Sequence, residues 1–149
     1  MKIGEIVEKS GLTERMLRHY ESLGIITPTK SAKGTRLYSE ADLSVARLIH
    51  RLRLLDIGLE SLSEIAQERL KHRTGDASAA SVGELLDSLA EALSQKAQQA
   101  LELRSEIVEA SKTVQKCKGC RNAPTPETCP DCPMNDVVDA NAVAAMVWK

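Results

Sequence analysis

The chain has 149 residues, of which 28% are charged, and a formal net charge of −1. That length leaves no room for a large catalytic barrel or wound sheet and fits one or two small units. The near-neutral total hides an imbalance: residues 1–75 carry 13 Lys/Arg against 10 Asp/Glu, a net of +3, whereas residues 76–149 carry 7 against 11, a net of −4. The basic first half suits a polyanion.

The first unit is expected over residues 1–75. Ile3, Ile6 and Val7 share one face of a short helix that Ser10 and Gly11 break. Thr13 caps a second helix, on which Leu17 and Tyr20 face inward while Arg15 and Arg18 point elsewhere. Gly24 supplies the exit from that helix and Pro28 prevents a smooth continuation. Thr27 to Tyr38 reads as a hairpin, with its turn at Ser31-Ala32-Lys33-Gly34 and its return at Arg36-Leu37-Tyr38. A third helix begins after Ser39, with acid in its first turn, and draws its apolar surface from Leu43, Ala46, Leu48, Ile49, Leu52 and Leu55. Gly58 ends it. Ser61-Leu62-Ser63-Glu64 then reads as a capping box for a fourth helix, with Leu62, Ile65, Ala66 and Leu70 inward.

Residues 75–80 are small and polar and read as a hinge. From Ser81 the chain turns periodic: Leu86, Leu93, Ala100, Ile107 and Val114 repeat every seven residues, and Leu89, Lys96, Leu103 and Ala110 fill the second seam. A helix over 81–115 is expected, about 50 Å long at the standard rise. The first unit is too small to cover such a stripe, so a second copy of the chain is the expected partner. Lys96 at a seam position weakens the seam unless its stem carries the charge outward. Residues 116–149 form a cysteine-bearing loop and a short apolar helix, in which Val137, Val138, Val143, Met146 and Trp148 are available for docking. The fold class is therefore mainly α.

Phe is absent and Trp occurs once, so the core must be aliphatic. No run of 18 apolar residues is present, and no membrane span is expected. Glu5, Glu8 and Glu14 among the first twenty residues argue against an export signal, which makes the cytoplasm the expected compartment. Three widely spaced histidines and the lack of a hydrolase or kinase motif argue against an enzyme.

Two groups of residues suggest chemistry. Arg15 and Arg18 on the outer face of the second helix suit a DNA major groove, and Lys30, Lys33 and Arg36 in the hairpin suit backbone phosphates. The other group is the set of four cysteines. Cys117-Lys118-Gly119-Cys120 and Cys129-Pro130-Asp131-Cys132 are two CxxC knuckles eight residues apart. Four thiolates fill a tetrahedral shell around Zn²⁺, and their clustering in a reducing compartment favours metal or redox chemistry over a disulfide framework. Such a site carries a formal charge of −2, which Lys112, Lys116, Lys118 and Arg121 can offset.

Lys2-Ile3-Gly4-Glu5, Ser10-Gly11-Leu12-Thr13, Leu17-Arg18-His19-Tyr20-Glu21, Leu23-Gly24, Gly34-Thr35-Arg36-Leu37-Tyr38 and the run from Leu55 to Leu62 resemble the MerR family of bacterial transcription regulators. The resemblance covers residues 1–73, and the long helix by architecture. It implies a winged helix–turn–helix DNA-binding domain and a homodimer whose long helices pair antiparallel. It also implies binding to double-stranded promoter DNA with an overlong spacer, which the regulator bends and untwists for RNA polymerase. By position, Thr13, Arg15, Arg18, Tyr20, Lys33, Arg36 and Tyr38 form the expected DNA-binding set. Thr35 and His19 stand where the family usually has aromatic residues. The cysteines Cys117, Cys120, Cys129 and Cys132 occupy the region where metal-responsive members bind their inducer. Those members often take a further cysteine from the partner's long-helix N-terminus, where this chain has Ser78 and Ser81. Three readings remain for the loop: a metal-responsive activator, a regulator with a structural zinc site and another effector, or a thiol-redox switch. A protein–protein adaptor without DNA binding is the alternative of another class.

Overall fold

The computed structural model describes residues 1–125 and 140–148. Its described chain runs α1 (Ile3–Ser10), α2 (Glu14–Ser22), β1 (Thr29–Lys30), β2 (Arg36–Leu37), α3 (Glu40–Leu54), α4 (Leu59–Glu68), a 3₁₀ turn (Arg69–Lys71), α5 (Gly75–Gln115) and α6 (Ala142–Trp148). The chain divides into two compact units, Met1–Leu93 and Ser94–Lys149.

In the first unit, local signals set most boundaries. Gly11 closes α1 in the left-handed region at φ +76°, its N–H donating to the Val7 carbonyl at 3.1 Å. Thr13 caps α2 through its hydroxyl, which accepts from the Met16 N–H at 3.2 Å. Ser39 and Asp42 cap α3 reciprocally. The Asp42 N–H donates to Ser39 Oγ at 3.1 Å, and the Ser39 N–H donates to Asp42 Oδ2 at 2.7 Å. The hairpin pairs Thr29 with Leu37 and Lys30 with Arg36, antiparallel. Its turn is held by the Gly34 N–H donating to the Ser31 carbonyl at 2.9 Å, with Gly34 at φ +77°.

The core of this unit is aliphatic apart from two tyrosines. Ile6, Leu12, Leu17, Tyr20, Ile26, Tyr38, Leu43, Ala46, Ile49, Leu52, Ile57 and Leu62 form one buried cluster drawn from all four helices and the segments between them. Each fully buried Leu or Ile contributes ~1.5–3 kcal/mol relative to exposure, and this removal from water is what holds such short helices in place. Helix α4 is also tied back to the exit of α2. The Leu23 carbonyl accepts from Ser63 Oγ at 3.1 Å and from Gln67 Nε2 at 2.8 Å.

Several expectations are corrected. Helix α4 starts at Leu59 with Gly58 as its N-cap, so Ser61 lies within its first turn and Ser63 is turned to Leu23. Leu48, Leu55 and Leu70 are exposed rather than inward, as is Ala66. Leu70 falls in the 3₁₀ turn, where the 3.6-residue period that placed it inward no longer holds. The hinge over 75–80 is helical, because α5 begins at Gly75 and runs for 41 residues. The capping-box residues Ser81 to Glu84 therefore lie inside the helix, and Ser81 Oγ donates to Glu68 Oε1 at 2.6 Å instead of capping.

The seven-residue stripe on α5 is divided among different partners. In the first unit, Leu89 and Leu93 pack against the core cluster just described. In the second unit, Ala110 is buried with Ala144 of α6, and Val114, Cys117 and Val143 pack against them. Asn141 caps α6, accepting from the Val143 and Ala144 N–H groups at 3.0 Å each, and its amide donates to the Glu106 carbonyl at 2.9 Å. Between these two stretches Ala100, Leu101, Leu103 and Ile107 remain exposed.

Candidate nucleic-acid interface and cysteine knuckle

The cap at Thr13 fixes where α2 begins, and burial of Leu17 and Tyr20 fixes which way it faces. A helix with one face locked into the core must present its other face to solvent. Arg15 and Arg18 lie there, both exposed; Arg18 Nη2 meets Glu14 Oε2 only loosely, at 3.8 Å. Thr13 is exposed at the helix start and Lys33 is exposed at the tip of the hairpin, next to Gly34. Lys30 is exposed on β1. The exposed cations of α2 and the hairpin therefore belong to one small unit with a common core.

The two tyrosines of the expected contact set are placed differently. Tyr20 is 0% exposed, and its hydroxyl accepts from Arg53 Nη1 at 3.0 Å. Its side chain offers no surface to a nucleic acid, so the expected contact is replaced by a core role that holds α2 on α3. Tyr38 is 2% exposed, and its hydroxyl donates to Glu21 Oε1. Burial, then the Glu21 carboxylate, push this phenol well above its ordinary pKa. A phosphate at that hydroxyl would have to compete with Glu21. The Tyr38 backbone is also engaged. Its N–H donates to the Met1 carbonyl at 2.8 Å, and its own carbonyl accepts from the Met1 amino group at 2.6 Å.

Arg36 is half-buried, and its Nε donates to Glu21 Oε2 at 2.7 Å. One carboxylate on α2 thus holds both Arg36 of β2 and Tyr38 just after it. Glu21 directly follows Tyr20, but nothing in the local pattern pairs it with a residue 15 positions away. Arg53 is a second residue that periodicity does not single out. It follows the buried Leu52 on α3 and satisfies the hydroxyl of Tyr20.

A third unforeseen feature lies where α4 ends and α5 begins. Glu68 is buried at 8% exposure and accepts from Lys71 Nζ at 2.8 Å and Ser81 Oγ at 2.6 Å, with His72 Nε2 2.7 Å from its carboxylate. The hydrogen bond from Lys71, followed by those from Ser81 and His72, lowers its pKa to about 2. A buried carboxylate of this kind is tolerable because each of its oxygens is satisfied.

In the second unit the chain leaves α5 through a tight knuckle. The Cys120 N–H donates to the Cys117 carbonyl at 3.0 Å, and Gly119 takes φ +84°. Cys117 is half-buried against the Ala110–Ala144 cluster, and Cys120 is exposed. A left-handed glycine that folds two cysteines around one turn fits the first half of a zinc knuckle. Lys112 is paired with Glu109 at 2.7 Å, so it is already engaged as a charge-offsetting group. Cys129, Cys132, Val137 and Val138 lie outside the described residues. Among the described residues no cluster of three metal-ligating side chains forms, and no helix is long and apolar enough to cross a membrane.

Residues 1–69 match the family model described as the MerR HTH family regulatory protein. Over the longer chain, the sequence is 33% identical over 135 residues to an uncharacterized HTH-type transcriptional regulator of Pseudomonas aeruginosa, PA4778, covering 90% of this chain and 92% of that protein. It is 29% identical over 134 residues to the HTH-type transcriptional regulator HmrR of Rhizobium leguminosarum bv. viciae, covering 90% and 94%. The fold matches that of HiNmlR, a MerR family regulator lacking the sensor domain and crystallised on promoter DNA. The TM-score is 0.66 at 18% identity, over 80% of this chain and 93% of that one.

Proposed function

The chain belongs to the MerR family of transcription regulators and is a DNA-binding regulator rather than an enzyme, and from that premise we propose that it binds as a homodimer to an inverted repeat in a promoter. The observation that carries the reading is the exposure of Arg15 and Arg18 on a capped helix whose opposite face is locked into the core. These two side chains read or flank the major groove. Lys30, Lys33 and Arg36 of the wing and the Thr13 end of α2 engage phosphates. Dimerisation rests on Ala100, Leu103 and Ile107, which lie on the seven-residue stripe and remain uncovered within the single chain. The two long helices pair antiparallel, as the family architecture implies, so that one dimer carries two DNA-binding heads.

Bending and untwisting the DNA toward RNA polymerase costs on the order of 1–6 kcal/mol, which is supplied by phosphate contacts spread over two heads. The signal enters through the cysteine loop. Cys117, Cys120, Cys129 and Cys132 would hold Zn²⁺, for which four thiolates are a complete ligand set. The Gly119 knuckle and the packing of Cys117 against Ala110 support this reading, because they connect the loop to the helix that carries the dimer seam.

The test is fluorescence anisotropy on a promoter fragment carrying an inverted repeat and on a scrambled fragment, between 50 and 200 mM salt. The expected result is preferential binding to the repeat, with log K falling linearly in log salt. Weak binding to both fragments with no salt dependence would mark the chain as a protein–protein adaptor. Metal content and in vitro transcription, measured before and after chelation, separate the roles of the loop. Transcription that changes on chelation and recovers with metal supports a sensing site, an unchanged output with bound zinc makes the site structural, and a response to peroxide alone makes it a thiol switch.

A further inference from the structure

We propose that Glu21 is a positioning residue for DNA binding, acting through Arg36 of the wing; the inference rests on the DNA-binding reading given above. The wing is small, with two-residue strands, and a two-stranded hairpin is at best marginally stable alone. Something outside the hairpin must therefore fix the direction of its side chains. Glu21 lies on α2, the same helix that carries Arg15 and Arg18, and uses its two carboxylate oxygens for two different residues, Arg36 on β2 and Tyr38 just after it. Oε2 accepts from Arg36 Nε at 2.7 Å, and Oε1 accepts from the Tyr38 hydroxyl. The side chain of Glu21 is 13% exposed, whereas that of Arg36 is 41% exposed.

The choice of atoms gives this contact its meaning. A guanidinium has five N–H donors in a rigid planar fork, and Glu21 engages the one on Nε. The plane is thereby oriented through Nε, and 41% of the Arg36 side chain remains exposed. A partly buried carboxylate on Nε, with the guanidinium's Nη donors not used by Glu21, makes Arg36 a pre-aimed phosphate clamp. The cost of ordering a long side chain is met in the free protein, so less is lost when DNA arrives.

This makes a prediction opposite in sign to that of simple electrostatics. Removing a negative charge close to DNA should strengthen binding if charge alone mattered. If Glu21 positions Arg36, removal weakens binding. The experiment is a double-mutant cycle in the full chain with Glu21→Ala, Arg36→Ala and the pair, measured on the repeat-bearing fragment at four salt concentrations. We expect Glu21→Ala to lose about tenfold in affinity in the wild-type background and less than twofold in the Arg36→Ala background. The slope of log K against log salt should fall by about one per bound protomer in both single variants, the signature of one lost phosphate contact.

Tighter binding by Glu21→Ala, unchanged binding, or an equal loss in both backgrounds would each overturn the proposal. Should Glu21→Ala fail to fold, Glu21→Gln decides. Gln preserves size but offers only one acceptor oxygen for two donors, so a threefold to fivefold loss that disappears with Arg36→Ala is expected, measured well below the variant's thermal midpoint. Absence of that coupling overturns the idea. Salt-dependent binding by the wild-type chain, measured alongside, separates a failure here from a failure of the DNA-binding reading itself.

Discussion

The proposed dimer seam gives the most quantitative prediction. Leu103 is 59% exposed and Ile107 is 54% exposed in the single chain. Full burial of a Leu or Ile side chain contributes ~1.5–3 kcal/mol, so covering the remaining half contributes ~1–1.5 kcal/mol for each. Leu103→Ala keeps Cβ and removes most of that contribution. A twofold-symmetric interface contains every substitution twice. The dimer should therefore lose ~1.5–2 kcal/mol, which is ~10–30-fold in the dimer dissociation constant. Leu103→Asp adds the desolvation of two carboxylates and should give a monomer at micromolar concentration. Sedimentation velocity over a dilution series reads this directly, with Ser105→Ala as a control because Ser105 sits opposite the seam in the seven-residue register. The DNA affinity of Leu103→Asp should fall by two orders of magnitude or more, since the second head no longer binds at high effective concentration. If Leu103→Asp leaves the dimer constant within twofold of wild type, the uncovered middle of α5 is not the dimer seam and the reasoning fails.

Three further outcomes are expected. Thr13→Ala removes the acceptor that serves the Met16 N–H and should destabilise the first unit by ~1 kcal/mol, seen as a lower thermal midpoint without loss of the hairpin. Glu68 has a folded pKa of about 2 against an ordinary 4.5, so its contribution to stability is complete above pH 4.5 and is lost as pH falls toward 2. Thermal midpoints of wild type and Glu68→Gln should accordingly differ at pH 6 and converge between pH 4.5 and 2; parallel curves would dismiss the stabilisation of the Glu68 carboxylate by Lys71, Ser81 and His72. Protein purified without added metal should contain one zinc per chain by elemental analysis, and Cys117→Ser or Cys120→Ser should lower that content severalfold while leaving α1–α4 folded, as judged by thermal unfolding of the first unit.

The order of helices, the wing, the aliphatic core of the first unit and the capping residues Thr13 and Ser39 were legible in the residues themselves. Each rests on a local rule: a side-chain oxygen for an unpaired N–H, a glycine for a left-handed turn, or a period that puts one face inward. The same rules placed Arg15 and Arg18 outside. Local rules failed where two segments share one group. Ser81 looks like a cap by its neighbours, yet its hydroxyl is taken by Glu68, and the helix runs through it from Gly75. Tyr20, a contact residue only by resemblance, is buried as its helical spacing indicates, and its hydroxyl finds Arg53, a partner 33 positions away that no local rule supplies. The seven-residue stripe looks like one continuous seam, yet in the first unit Leu89 and Leu93 are taken by the core and in the second Ala110 is taken by Ala144. Sequence therefore determined which residues want burial and which want a partner; only the tertiary structure decided which partner each one found. Periodicity records how often an apolar side chain recurs along the chain, whereas burial depends on what the folded chain brings against it.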